Sequence, residues 1–442
     1  MKSLAIRLNE RFCRCWALAV MFACFTGAGN IAAQQQADSV LIAQRVDWIR
    51  STAKQISSID PSTAEDSDLQ FLKSSTGNAR VVMLGEQSHG EGSIFLAKTR
   101  LIKFLHEQMG FNVLAFEGSF PGCARAWEQI RSGANPNEAV RRALYPLWSE
   151  TEQLQPLFAY LGEQAQGEHP LTLSGFDVRL SGRDDRLLMS ELEATLKAGG
   201  SSLIGQPEWS WFRTTLDSLG RKERQLNLTD ADYARLASYL VRIESEVSRE
   251  VRESGQAILW PQTVRSISGL IDFLRVPLAD WKRGNSIRDV KMAENLLWLM
   301  HSRYPGEKFI LWGASYHFCR NLASDTLGYD SVRTMADSLW LALGDGMYSI
   351  AFSGFEGRVS QWDGSVKPLE RAFEGSVEGL LEKTGYPIAF LDLRMLPPGG
   401  RWLQEPQYAR PLGNNWKHYV WPKHFDGLFF IRNIDPSIRI KK

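Results

Sequence analysis

Short apolar runs without polar alternation are the feature of this 442-residue sequence that most constrains its fold. The run Val81–Gly85 is followed by an amphipathic stretch, Ile94–Met109, which stops at Gly110, and then by a second run, Asn112–Phe116. Strands that are apolar on both faces are typical of parallel sheets covered by helices, and strand–helix–strand spacing this short indicates a βαβ unit. The pattern predicts an α/β protein with a mainly parallel central sheet.

The same reading extends along the chain. Residues 34–57 have near-helical apolar spacing, a long helix is expected to begin after Thr229 as its N-cap, and another is expected from about Arg288 to Met300. We expect the segments 119–170 and 185–305 to be helical insertions that form a lobe, with a cleft between the lobe and the sheet. The further predicted strands are Leu171–Phe176, Lys308–Trp312, Tyr348–Phe352, Ile388–Leu393 and Leu428–Ile431.

The first 33 residues have the layout of a secretory signal peptide. Basic residues between Lys2 and Arg14 precede an apolar stretch from Trp16 to Ala28, and small residues follow as far as Ala33. The apolar stretch is too short to span a bilayer, so cleavage near Ala33 is expected, with an uncleaved membrane anchor as the alternative. The prediction is a periplasmic or secreted domain, residues 34–442.

The net charge excludes some classes of binding partner, and the cysteine content bears on the redox state of the compartment. The whole chain has a formal net charge of +1, and loss of the basic N-terminal segment makes the mature protein slightly acidic. Nucleic acid and anionic membrane surfaces are therefore not expected partners, and no later run is long enough for stable membrane insertion. Cys123 and Cys319 are the cysteines left in the mature chain, either as two buried apolar residues or as one disulfide if their neighbourhoods converge.

Charged side chains follow four of the predicted strands. Glu86 and His89 come after the first strand, Glu117 and Asp177 end the next two, and His317 follows the fourth. Ligands of parallel sheets bind beyond the carboxyl ends of the strands, so we expect these groups to gather at one edge. Glu117 is the hardest of them to explain structurally, because a buried carboxylate without a partner is costly.

Such a set, beside an aromatic-rich helical lobe, suits hydrolysis of an ester or lactone of a bulky, partly apolar small molecule without a covalent nucleophile. His89 is the candidate general base that takes a proton from water, and Glu86 or Glu117 would hold its imidazole and stabilise the imidazolium. Attack on an ester carbonyl builds an oxyanion that needs a donor or a cation, for which Lys98, His317 and Arg288 are candidates.

Four motifs together resemble the erythromycin esterase family, over roughly residues 50–435. The motifs are Gly85–Gly90 (GEQSHG), Ala115–Glu117 (AFE), Gly175–Asp177 (GFD) and Arg288–Asn295 (RDVKMAEN). The resemblance implies an α/β protein with a helical lobe that hydrolyses an ester or lactone, as characterised members do with macrolide antibiotics. It also implies histidine-activated water and no metal or other cofactor.

Carried over by position, the resemblance makes His89 the general base, with Glu86 and Glu117 as its carboxylate partners and Lys98 as a cationic residue. His317 corresponds to the second histidine of the family's WAHNxH segment. That segment reads WGASYH here, so the first histidine is replaced by Ala314.

Asp177 and Arg288 are candidate substrate-binding residues. Both fall within the motifs that carry the resemblance.

Three other interpretations remain open from the sequence. Ser315 would be the nucleophile if Gly313–His317 were a serine-esterase elbow, although the motif ends in histidine where a small residue is expected. Glu86, His89, Glu117 and His317 would be ligands if the site held zinc or manganese. An exported small-molecule-binding protein without turnover is the third interpretation.

Overall fold

The fold is described from a computed structural model, which places residues 38–222, 228–254, 259–323 and 331–440. The predicted signal peptide, with its three cysteines, lies outside these described residues. Within them, no helix is long and apolar enough to cross a bilayer.

Six parallel strands form the centre of one large sheet. Their spatial order is β4-β3-β5-β2-β6-β11, and β8 and β1 extend it antiparallel beyond β11, while β7 pairs with the far end of β6. The predicted α/β class with a mainly parallel sheet is thus confirmed, and all seven predicted strands are present. The strands are β1 Lys54–Gln55, β2 Val81–Glu86, β3 Val113–Ser119, β4 Thr172–Asp177, β5 Phe309–Ala314, β6 Met347–Ser360, β7 Val366–Leu369, β8 Ile388–Asp392, β9 Gln407–Ala409, β10 Lys417–Tyr419 and β11 Gly427–Ile434.

Helices cover both faces of this sheet and fill the long connections. α4 to α7 lie between β3 and β4, and α8 to α12 lie between β4 and β5. The helices are α1 38–52, α2 Phe71–Thr76, α3 Gly92–Met109, α4 Phe120–Arg131, α5 Pro136–Ala143, α6 Pro146–Ser149, α7 Gln155–Gln164, α8 Leu188–Ala198, α9 Glu208–Lys222, α10 Asp230–Ser254, α11 Leu259–Leu274, α12 Trp281–Trp298, α13 Ser315–Phe318, α14 Met335–Leu343 and α15 Val377–Glu382.

Local chemistry explains where several helices begin and end. Thr229 caps α10 as predicted, because its hydroxyl accepts the Asp232 amide at 3.2 Å while the Asp232 carboxylate accepts the Thr229 amide at 2.9 Å. Gly110 ends α3 in the left-handed conformation, with φ of 68°. The N-terminal helix was predicted to run to residue 57, but it ends at 52 because Lys54–Gln55 pairs with β8 as an edge strand.

The second helical segment has an apolar core of its own. Buried leucines of α8, α9, α10 and α11 pack together there, among them Leu192, Leu216, Leu240 and Leu270. The first segment, by contrast, packs directly on the sheet, with Trp148 and Phe158 in the same core as Phe116 and Trp312. The first segment is therefore placed to contribute side chains near the sheet edge.

Neither of the two cysteines in the described part of the chain forms a disulfide, and both are buried. Cys123 packs in the core that covers β3, and Cys319 packs in the separate core beside β8 and β11. Of the two alternatives left open by the sequence, the structure has two buried apolar cysteines and not a disulfide, because Glu117 and His317 come together while the cysteines that follow them enter different cores.

Candidate active site

Glu86 is the last residue of β2, and its fully buried carboxylate is bound on both oxygens. Oε1 accepts hydrogen bonds from Trp148 Nε1 and His89 Nδ1, each at 2.9 Å. Oε2 accepts one from the ammonium of Lys98, which reaches it from α3. Three donors therefore fix this carboxylate, and its charge is balanced by the Lys98 ammonium.

His89 lies in the turn between β2 and α3, and this turn is held tightly. Glu91 accepts the Ser88 amide at 3.0 Å and the Ser88 hydroxyl at 2.5 Å. A Cβ on Gly90 would lie 2.0 Å from the Ser360 carbonyl oxygen, so only glycine fits where the two chains meet. These contacts hold the His89 backbone firmly beside Glu86.

The imidazole of His89 contacts a tryptophan on each side. Trp148 lies 5.2 Å away and Trp362 5.9 Å away, both edge to face. About a quarter of the His89 side chain is exposed, whereas Glu86 is completely covered. Since Nδ1 faces Glu86, Nε2 is the nitrogen left for a ligand or water.

His89 lines a cavity of about 260 Å³. The cavity walls come from the β2–α3 turn, the first helical insertion, the β6–β7 hairpin, the loop before β10 and the C-terminal segment, and no described residue of the second insertion lines it. The lining residues are Ser88, His89, Leu147, Thr151, Ser360, Gln361, Trp362, Gly413, Asn414, Ser437 and Arg439. A larger cavity of about 940 Å³ lies in the helical lobe and is lined by none of the predicted site residues.

Burial and charge act in opposite directions on the two basic groups that bind Glu86. Burial lowers the pKa of His89, but the hydrogen bond and charge of Glu86, with the charges of Glu117 and Glu91, raise it to a net value above that of a free histidine. Burial dominates for Lys98 and lowers its pKa to about 8 despite Glu86. The Lys98 ammonium also lies 3.7 Å from the centre of the Trp312 ring.

A second group of charges surrounds Arg288 of α12. Its guanidinium donates to both oxygens of Asp177, at 2.9 and 2.5 Å, and to Glu117 Oε1 at 2.8 Å. His317 adds two more acidic contacts, Nε2 to Glu117 Oε1 at 3.1 Å and Nδ1 to Asp289 Oδ1 at 2.7 Å. Two cations and three carboxylates thus form one buried network.

The electrostatics of this network favour the charged forms of His317 and Glu117. The Asp289 and Glu117 carboxylates outweigh burial and raise the pKa of His317 to about 10. Burial raises the pKa of Glu117, but His317 and Arg288 lower it to well below its usual range. His317 is therefore an imidazolium at neutral pH, with both ring nitrogens occupied.

The two groups lie on opposite faces of the sheet edge. Glu86 pairs in register with Ala314, whereas Glu117 follows Phe116, which pairs with Trp312. Because successive residues of a strand point to opposite faces, Glu86 shares a face with Trp312 and Glu117 points to the other. Glu117 binds Arg288, His317 and the Ala314 amide instead of His89.

Comparison with known proteins assigns this chain to a family. The sequence model described as erythromycin esterase matches residues 106–434. The chain belongs to the erythromycin esterase family.

Two relatives of this erythromycin esterase family member cover most of its length. The protein named "Putative hydrolase YbfO" from Bacillus subtilis strain 168 is 27% identical over 419 residues, covering 89% of this chain and 92% of that protein. Erythromycin esterase type II from Escherichia coli is 23% identical over 401 residues, covering 84% of this chain and 93% of that enzyme.

A solved structure shows the same fold. A mutant of erythromycin esterase EreC in its open conformation aligns with a TM-score of 0.67 at 16% identity, covering 87% of this chain and 98% of that one. Membership of the erythromycin esterase family indicates an esterase-like hydrolase.

Several expectations for this family member need correction. Glu86 holds His89 as expected, but the expectation that Glu117 also binds the imidazole is wrong, because its oxygens face the other side of the sheet. Lys98, Arg288 and His317 were expected to be available to an oxyanion, yet none of them lines the His89 cavity. Each is instead engaged by buried carboxylates.

The serine-esterase and metal interpretations lose their geometric basis. The Ser315 hydroxyl donates to the Gly85 carbonyl at 2.7 Å, and among the described residues no histidine forms a hydrogen bond with it. Within the described residues, no three His, Cys, Asp or Glu side chains are arranged to hold a metal ion. The four ligands envisaged from the sequence divide between the two faces.

Sequence reasoning missed five residues of the site. Asp289 is adjacent to Arg288 in a family motif, and Glu91 is two positions after His89, so the sequence carried a signal for both. Trp148, Trp362 and Arg439 come from distant segments without a motif, and only the folded chain brings them to His89.

Proposed function

We propose that the protein hydrolyses an ester or lactone of a small molecule, with His89 as the base that activates water. The Glu86–His89 hydrogen bond of 2.9 Å carries this proposal, because it orients a partly exposed imidazole at the wall of a cavity. Membership of the erythromycin esterase family supports it. A carboxylate, a histidine and water are the parts that general-base hydrolysis requires.

The proposed step runs through the two nitrogens of one ring. Nδ1–H donates to Glu86, so Nε2 accepts a proton from water as the water oxygen bonds to the acyl carbon. The bond from that carbon to the leaving oxygen then breaks, and the proton passes from His89 to the leaving alkoxide. The products are an acid and an alcohol, or one hydroxy acid from a lactone, and His89 returns to its neutral form.

Lys98 has an electrostatic role in this scheme. Its ammonium is paired with Glu86 and completely buried, so it balances the carboxylate without reaching the cavity. The Arg288 network, on the opposite face, has a positioning role: it ties β3, β4 and α12 together beneath the site. Asp177, Glu117 and His317 act there with Arg288 to support the sheet edge.

A panel of esters and lactones, macrolides included, tests the proposal directly. We expect the mature protein to add one water to at least one of them, with heavy oxygen from labelled water appearing in the acid product. Assays with and without a chelator should give equal rates. A compound that binds and is recovered intact from every assay would make the protein a binding protein instead.

We also propose that the mature enzyme acts outside the cytoplasm. The basic segment, apolar stretch and small residues of the first 33 positions support this. N-terminal sequencing of the protein recovered from the periplasm or medium should begin near residue 34. Recovery of the full-length chain from the cytoplasm would contradict export.

A further inference from the structure

The lining of the His89 cavity has an uneven charge. Arg439 is the one permanently charged side chain among the lining residues, and the others are neutral groups and the titratable His89. The nearby acids do not line the cavity: Glu86 is paired with Lys98, and the buried carboxylate of Glu91 binds Ser88 and Asn414. The wall therefore presents a net positive charge to whatever enters.

The backbone of Arg439 is held firmly in that wall. It forms an antiparallel bridge with Thr151, and on either side the Glu152 amide donates to Ile438 O and the Ile440 amide to Glu150 O, both at 2.9 Å. The segment is also tied to the His89 turn, because the Ser437 amide donates to Gly90 O at 2.9 Å. A side chain at 439 is thus placed relative to the catalytic turn by several hydrogen bonds.

The guanidinium itself is only partly used. Nη2 donates to the carbonyl oxygen of Trp362 at 2.8 Å, and Trp362 in turn contacts the His89 ring. Among the residues that the structure describes, no carboxylate forms an ion pair with Arg439, whereas Arg288 is bound by two. An arginine has five N–H donors, so most of this fork is left for a ligand.

The size and surface of the cavity limit which ligand can bind beside Arg439. At about 260 Å³ it lies below the range of roughly 300–1,000 Å³ that is usual for small-molecule sites. Leu147 provides an apolar patch, and Trp362, which is 68% exposed, forms a flat aromatic wall. A compact acyl group fits this space beside His89.

We propose that this cavity selects esters of small acids that carry a negatively charged group, which Arg439 binds while the ester carbonyl lies against His89. This inference rests on the proposed function and names its substrate class. A carboxylate on the acyl chain would form charge-assisted hydrogen bonds with the guanidinium. Such bonds fix the carbonyl in place for attack by water.

Two aryl esters that differ by one charge test this selectivity. 4-Nitrophenyl acetate is neutral, and 4-nitrophenyl hemisuccinate carries a carboxylate. We expect Arg439→Gln to lower kcat/KM for the hemisuccinate by about 10- to 100-fold more than for the acetate, the range for a hydrogen bond to a charged group. Arg401→Gln, at an exposed arginine outside the cavity, is the matched control and should change neither value. An equal fall for both esters in Arg439→Gln, or no fall for either, would overturn the inference.

A non-hydrolysable amide of succinate separates this inference from the proposed function. Calorimetry should show that the wild-type protein binds the amide and that Arg439→Gln loses most of the affinity. Binding that depends on Arg439 without hydrolysis of any ester would retain the anion site and reject the esterase. Hydrolysis of both esters with no dependence on Arg439 would retain the esterase and reject the anion site.

Discussion

The Glu86 and Arg288 groups lie at the same edge of one sheet, and each combines a histidine, a buried carboxylate and a cationic side chain, yet they differ at the histidine. In the Arg288 group, both nitrogens of His317 bind carboxylates and the guanidinium is shared between two acids. In the Glu86 group, one nitrogen of His89 binds the carboxylate and the ring borders a cavity. We call the Arg288 group closed, because both ring nitrogens of its histidine bind carboxylates. The Glu86 group is open, because Nε2 of His89 is left for water or a ligand.

Because of this difference, we expect the Arg288 group to stabilise the fold and the Glu86 group to carry out the chemistry. A buried imidazolium with a pKa of about 10 cannot accept a proton at neutral pH, however close it lies to the site. A histidine with a single acid partner and partial exposure keeps a basic nitrogen for water. Removing one side chain from each group should therefore give opposite results.

The largest effect is expected for His89→Gln. Loss of the base should lower kcat/KM for the best ester by about 10²- to 10⁴-fold, while the unfolding midpoint stays close to that of the wild type. Steady-state kinetics and thermal unfolding measure the two quantities. His418→Gln is the control, because His418 stacks on Tyr408 outside the cavity and should leave both unchanged. Near-full activity in His89→Gln would remove His89 from the mechanism.

Arg288→Met should show the reverse pattern. It leaves Asp177 and Glu117 buried without their main cation, a change that typically costs about 3–5 kcal/mol of unfolding free energy. Urea unfolding measures the loss, and residual activity per folded molecule should fall much less than in His89→Gln.

Two variants bracket that result. Arg288→Lys keeps a charge but not the fork, so it should lose less stability and remain folded if the methionine variant does not. Arg265→Met breaks an exposed pair with Glu244 and should change stability little. Arg288→Met with wild-type stability would show that the closed group does not support the fold.

The main strands and the edge of the site were predictable from the sequence because buried parallel strands are continuous apolar runs. The carboxyl-end rule then located Glu86, Glu117 and Asp177 without any coordinates. The shortest strands, such as Lys54–Gln55, were missed because two edge residues leave no apolar pattern.

The division of the site into two faces was harder to foresee. It depends on a single step of register: Glu86 pairs with Ala314, and Glu117 falls one residue beyond the Phe116–Trp312 pair. The sequence does not show which strands pair or in what register, so it could not assign Glu86 and Glu117 to opposite faces. The cavity walls depend still more on tertiary structure, because Trp362 and Arg439 reach His89 from the β6–β7 connection and the C-terminal segment.

A shift in the pH dependence of activity is the smallest effect we expect, and it identifies the titrating group most directly. Catalysis requires neutral His89, whose pKa lies above that of a free histidine, so kcat/KM should rise with pH through a limb above about 6.5. His317 does not contribute to this limb, because its pKa is about 10 and it stays charged throughout. Glu86→Gln removes the main charge that raises the pKa of His89 and leaves burial, which lowers it, so the limb should move to lower pH.

Two further variants test the cause of that shift. Glu86→Asp keeps the carboxylate charge, so its limb should stay near the wild-type position even if the rate falls. Glu294→Gln alters an exposed acid that pairs with Lys291 and should leave the limb in place. If the limb does not move in Glu86→Gln, the titrating group is not His89, because Glu86 contributes most to raising the pKa of His89.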